Sequence, residues 1–218
     1  MNKKIVGLTL MILLSTVGLA AAEEVQVALI DPVQFVSRDR SIDLFRLNLI
    51  AGVNDNMRGL DLGLFNITRQ DFDGIGLGLS HYEGGHMNGW QLGVLSIAGG
   101  DVEGVQTAAI STANGFVHGW QMGLVNYAGG GLLGLQTGAV NIVKGDGKNC
   151  FQLGLVNYGA GSYLGMQWGA FNFAEEAHGF QFGIINVTNA LDGLQIGVAN
   201  YNGKKEPFEF LPLVNWSF

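Results

Sequence analysis

The chain has 218 residues, of which 48% are hydrophobic, only 13% are charged and 35 are glycine. A soluble domain carries about 25% charged residues, so much of the usual solvated surface is missing. The glycines follow no three-residue period, which excludes collagen, and the apolar content excludes a disordered chain. A net charge of −7 with no basic cluster argues against a nucleic-acid partner.

In chain order, the first element is a leader. Lys3 and Lys4 precede an apolar run from Ile5 to Leu19, and Ala20-Ala21-Ala22 supplies a small-residue cleavage pattern. Residues 1–22 therefore read as a secretory signal peptide, and 23–218 as a single exported β-repeat domain. Cys150 is the single cysteine, so no intrachain disulfide can form and stability must come from packing and strand pairing.

The rest of the chain is one unit copied along its length. Gly119-Trp-Gln-Met-Gly-Leu-Val-Asn-Tyr127 has near-copies beginning at Gly59, Gly74, Gly89, Gly104, Gly134, Cys150, Gly165, Gly179 and Gly193, spaced 14 to 16 residues apart. Weaker copies occur at Val25–Asp31 and Phe45–Ile50, and Leu213–Trp216 matches half a unit. Each unit reads as one strand of eight or nine residues followed by a Gly-rich turn. With alternating side chains, one face is Trp120, Met122, Leu124 and Asn126, and the other is Gln121, Gly123, Val125 and Tyr127. From Gly74 to Tyr201 every charged residue falls between these strands.

Two arguments favour an antiparallel meander. A parallel stack requires the linking segment to return the full strand length, roughly 26 Å for eight residues, and segments such as Ala128–Leu133 are short and rich in turn-forming glycine. Large and small residues also alternate from unit to unit, as in Leu92, Thr107, Met122, Thr137. The chain ends with Val214, Trp216 and Phe218 on one face, which looks like the closing strand of an outer-membrane barrel. Pro212 departs from that pattern and predicts that the last strand starts after it. The expected fold is all-β, an antiparallel meander closed as an outer-membrane-type β-barrel. The alternative is a β-solenoid.

The Gly-φ-Gln-φ-Gly-Leu-Val-Asn units (φ apolar), with Phe45–Leu49 and Gly59–Leu64 before them and Phe208–Phe218 after them, resemble bacterial surface-repeat proteins with tandem GLQLGLVN units behind a signal peptide. That resemblance implies an exported, surface-associated protein and no activity. The unit at Gly74 departs from it, with Gly76 and His81 for Gln and Asn, and so does the unit at Gly104, with Ala108 and Ser111 for Gly and Asn.

Catalytic, cofactor and metal sites are all expected to be none. His81, Glu83 and His86 could serve a metal by spacing, but one turn rarely completes a site, and they read as exposed turn residues, as do Glu175, Glu176 and His178. Cys150 reads as a packed residue, not a nucleophile. The recurring Gln and Asn are expected to bond one another and the backbone across neighbouring strands. The second motif glycines, such as Gly123 and Gly154, leave a gap expected to receive a tyrosine such as Tyr127 or Tyr158. The expected function is an exported outer-membrane or cell-surface repeat protein with a structural or interaction role and a membrane as partner. The alternative is a soluble or surface-attached solenoid adhesion or binding module.

Overall fold

The computed structural model describes residues 24–205 and 207–218. The expected signal peptide at 1–22 lies outside them. The strands are β1 (Val25–Ile30), β2 (Val33–Gln34), β3 (Phe45–Asn54), β4 (Met57–Thr68), β5 (Phe72–Glu83), β6 (Met87–Leu92), β7 (Leu95–Ala98), β8 (Val102–Thr107), β9 (Ile110–Ala113), β10 (Phe116–Met122), β11 (Val125–Ala128), β12 (Gly131–Thr137), β13 (Val140–Val143), β14 (Asp146–Phe182), β15 (Ile185–Asn202) and β16 (Phe210–Ser217).

The pairing overturns the meander and the barrel. β6, β8, β10 and β12 stack in parallel, with Gly89, Gly104, Gly119 and Gly134 in register, and β7, β9, β11 and β13 form a second parallel stack. The chain is a parallel β-solenoid with one repeat per coil. Among the described residues, antiparallel pairing occurs at the two ends, where β2 folds onto β1 and β16 onto β15.

The length argument failed because the repeat is not one straight strand. It bends at the second motif glycine, between β6 and β7 at Gly93-Val94, and turns again at Gly99-Gly100. Each half-strand therefore has only half the distance to return. The alternation of large and small residues has its own cause. Trp90 Nε1 donates to Thr107 Oγ1 at 3.2 Å, and Trp120 Nε1 to Thr137 Oγ1 at 3.0 Å. A bulky side chain leans over a small one on the next coil, which gives a two-unit period in a parallel stack.

The bend also changes which residues face inward. Gln121 and Asn126 lie five residues apart and would sit on opposite faces of a straight strand, yet both are fully buried. Each coil sends four side chains inside: an apolar residue such as Val117, the Gln, the Asn and a small residue such as Ala128. From Gln121 onward each Gln amide donates to the Gln one coil earlier, as in Gln121 to Gln106, Gln136 to Gln121 and Gln152 to Gln136 at 2.7–2.9 Å. The same amides reach across the interior to a carbonyl of the facing strand, Tyr127 O for Gln121 at 3.1 Å. The Asn column runs the other way, from Asn126 to Asn141, Asn157, Asn172, Asn186 and Asn200 at 2.8–2.9 Å. The amide dipoles of the two columns therefore oppose each other. The expected Gln and Asn bonding is present.

Glycine is required at two places in the coil. At the first motif position the backbone has positive φ, +145° at Gly119, and a Cβ would overlap the carbonyl of Gly104. The coil starting at Cys150 lacks this glycine. There Asn149 takes the left-handed conformation at φ 47°, and a bulge absorbs the extra residue of the 16-residue coil. The second motif glycine receives no tyrosine, because Tyr127 and Tyr158 point outward. A Cβ on Gly154 would instead lie 2.5 Å from Gly138 O, 2.6 Å from Asn141 Nδ2 and 3.1 Å from Asn157 Oδ1. The gap is closed by the preceding coil's carbonyl together with the Asn ladder. Ala108 fits because its own coil carries Ser111 and the preceding coil Ser96 where others have Asn.

The ends are capped. Gln26 exchanges two bonds with the backbone of Val36, both 2.9 Å, holding the first loop over the stack. At the other end Asn215 is buried opposite Gln195. Pro212 lies inside β16 and does not precede it, as an edge strand tolerates a residue without N–H.

A contrast between two alanine substitutions tests the Asn-ladder account. At Gly93, where the preceding coil carries His81 and the same coil Ser96 in place of Asn, the nearest atoms to a Cβ are 3.1–3.2 Å away. Gly93→Ala should leave thermal melting nearly unchanged, while Gly154→Ala should cost on the order of 1–3 kcal/mol. Equal melting shifts in the two variants would rule this account out.

Candidate functional site: the apolar wedge

With the polar amides turned inward, the outer surface of the coil is left to apolar side chains. Five outward columns run along the stack. On the first strand they pass through Trp90 and Leu92, at the bend through Val94, and on the second strand through Leu95 and Ile97. From the coil of Leu60 to that of Leu194, none of these columns contains a charged residue. Their polar members are Ser80, Thr107, Thr112 and Thr137.

The bend column is aliphatic throughout: Leu64, Leu79, Val94, Ala109, Leu124, Ala139, Leu155, Ala170, Ile184 and Val198. Leu124 and Leu155 are each 63% exposed and Val198 65%. Exposed apolar area on this scale is foreign to a free monomer's surface. Charge collects at the opposite edge, where Arg58, Asp73, Glu103 and His178 lie just outside the Trp90 column, and Arg69, Asp71, Asp101 and Asp146 lie at the second corner. The cross-section is a wedge with an aliphatic tip and a charged base.

At the base, side chains brace the turns across coils. Asp71 Oδ1 accepts from His86 N at 2.7 Å, Asp101 Oδ1 from Phe116 N at 2.7 Å and Asp146 Oδ1 from Ser162 N at 3.1 Å. His86 is therefore an exposed turn residue, as expected. Glu175 accepts from Asn189 Nδ2 at 3.0 Å, and His178 lies 3.2 Å from Asp192.

His81 and Glu83 depart from expectation: both are buried inside the stack. His81 occupies the Asn column, with Nε2 3.1 Å from Leu92 O and Nδ1 3.4 Å from Asn66 Nδ2. A neutral ring with its proton on Nε2 satisfies both contacts, and burial lowers its pKa. A Cβ at Gly76 would lie 2.9 Å from the imidazole. The two departures in this repeat are thus one exchange of volume, Gly for Gln making room for His in place of Asn.

Next to it, Arg46 is fully buried and forks onto Asp61 with bonds of 2.8 and 2.6 Å, and it also reaches Ile67 O and Thr68 Oγ1. This pair closes the first coils of the Gln column. Glu83 Oε1 accepts from Gln91 Nε2 at 2.6 Å, and burial pushes its carboxyl up to about 8. Cys150 is buried beside Tyr163, and burial pushes its thiol up to about 11. At neutral pH that is a protonated thiol, a poor nucleophile. Among the described residues no three His, Cys, Asp or Glu side chains are grouped to hold a metal ion, and no helix long and apolar enough to cross a membrane is present. The chain matches no protein-family model, no curated protein and no solved structure.

The wedge was not visible to a reading that alternated faces along a straight strand, since that reading placed Trp120 with Asn126 and Gln121 with Tyr127. The signal was present nonetheless: Gln and Asn are the recurring polar members of an otherwise apolar unit, and a core that pairs both needs them on one side.

The buried carboxyl gives a pH test. Glu83 releases its proton near 4.5 when exposed and near 8 when folded. The folded state therefore binds more protons between these values, and stability falls as pH rises through that window. Glu83→Gln, neutral at every pH, should melt higher than the native chain at about pH 9 and show a flatter profile from about pH 5 upward. Parallel melting profiles for the two proteins would exclude the buried proton. His81 acts at the acid side, withdrawing stability as pH falls below 6.5.

Proposed function

We propose that the chain is an exported, non-catalytic β-solenoid module that attaches to the cell envelope or to a surface partner through its apolar wedge. The observation that carries this reading is the inversion of polarity. The amides lie inside, bonded along ladders whose open oxygens are at the ends, Asn126 Oδ1 and Gln195 Oε1, and an uncharged apolar surface runs the length of the stack. A rigid stack of this kind repeats one chemistry at the strand spacing of about 4.8 Å, which suits an extended attachment surface and not a concave reaction site. The Lys3–Ala22 leader and the resemblance to bacterial surface-repeat proteins support export. The low nucleophilicity of Cys150 and the structural duties of the histidines at 81 and 86 support a role without catalysis.

Charging the tip tests this reading without touching the core. Leu124→Asp combined with Leu155→Asp changes two side chains that lean on nothing inside. In cell fractionation the native chain should sediment with envelope, and the double variant should move to the soluble fraction with an unchanged circular dichroism melt. If both proteins fractionate alike, the wedge is not the attachment surface.

A further inference from the structure

Building on the wedge as working surface, we propose that its occupant is a single lipid leaflet: the solenoid lies along the membrane plane with its tip in the acyl chains and its charged base in water. Four observations select lipid over a protein groove or a second copy.

The first is the depth of the apolar band. From the Trp90 column to the Val94 column is four residues, roughly 13 Å of strand. Half of a hydrocarbon core of about 30 Å is about 15 Å. Two residues beyond Trp90, the column of Arg58, Asp73, Glu103, His178 and Asp192 would reach the headgroups and water.

The second is the sorting of aromatics by level. The tip column is wholly aliphatic, whereas Trp90, Trp120 and Trp216 share the outermost column of the first strand. Tyr82, Tyr127, Tyr158 and Tyr201 share the matching column of the second strand, and Tyr163 is the one tyrosine placed elsewhere. Trp and Tyr concentrate at membrane–water boundaries because their rings are apolar with one polar atom. A protein groove or a second wedge gives no reason for two aromatic rims at one height around an aliphatic tip.

The third is backbone satisfaction. A leaflet accepts no unpaired N–H or C=O, and in the stack each coil pairs with the coils on both sides. The open edges lie at the ends, and each is treated at the tip. β2 covers β1 where Leu29 and Ile30 emerge, with exposed Val33 and Phe35 on it. At the far end Pro212, which has no N–H, occupies the tip of the edge strand β16 beside exposed Leu213 and Val214.

The fourth is charge. The chain is acidic, at −7, and among the described residues no basic patch flanks the wedge. Insertion must therefore be apolar in origin, without attraction to anionic headgroups.

The test uses phosphatidylcholine vesicles, which carry no net charge. The full mature chain, purified in mild detergent and mixed with vesicles as the detergent is removed, should float with them and stay bound in high salt. Two single-tryptophan variants then read depth, one keeping Trp90 and one keeping Trp168, with the remaining tryptophans changed to Phe. Trp168 lies one column nearer the tip, so lipids brominated deep in the acyl chain should quench it several-fold more than Trp90, and shallow bromines should reverse the order. Release by high salt, or equal quenching at both depths, would overturn the leaflet. A chain that stays off vesicles but forms a stable homodimer, with both tryptophans shielded from aqueous quencher, would also overturn the leaflet while keeping the wedge as working surface. A chain that neither floats nor self-associates would overturn the leaflet and leave the wedge to a surface partner, a reading that the fractionation of the Leu124→Asp, Leu155→Asp variant decides.

Discussion

Everything in this fold depends on pairing amide side chains in a narrow, buried interior. A buried amide without partners costs about 1–3 kcal/mol, and most coils bury two. The solution is translation along the stack: in-register coils place each Gln and each Asn a strand spacing from its copy, within reach of a hydrogen bond. The ladder works only if coils stay in register. A slip of one residue would set amides against apolar neighbours along the whole stack, so the side chains enforce the register that the backbone pairing alone would leave loose.

That dependence explains why deviations come in pairs. His81 in the Asn column requires Gly76 in the Gln column, and Ala108 goes with serine on its own coil and on the preceding one. The 16-residue coil keeps Gln152 and Asn157 in their columns by confining its extra residue to a bulge at Asn149-Cys150. Where the ladder runs out toward the N-terminus, the Arg46–Asp61 fork replaces it, a buried pair whose remaining donors find Ile67 O and Thr68.

Placing polarity inside has a consequence outside. Each repeat has few residues, and those not needed for the ladder, the corners or the apolar filler face outward as leucine, valine, isoleucine and aromatics. A soluble solenoid would place charged residues there. Here charge is confined to the base, where it also braces turns from coil to coil, as Asp71 does for His86 and Asp101 for Phe116. The wedge is thus the surface counterpart of the polar core, and the same bend at the second glycine produces both.

The repeat, its period, the all-β character, the bonding of Gln and Asn and the demand for glycine could be read from residues alone, because they follow from local chemistry recurring at a fixed spacing. Strand direction and facing could not. Whether Gly93 and its equivalents continue a strand or bend it is decided by whether a parallel neighbour is present to receive both halves, and that neighbour lies a whole repeat away in sequence. Once the bend forms, Gln121 and Asn126 turn to the same side, the barrel becomes a solenoid, and Glu83 moves from an exposed turn to the interior. The sequence by itself determined which groups need partners. Tertiary structure decided where those partners are, and with them which surface is left for something else to cover, because inside and outside exist only after the coils have stacked.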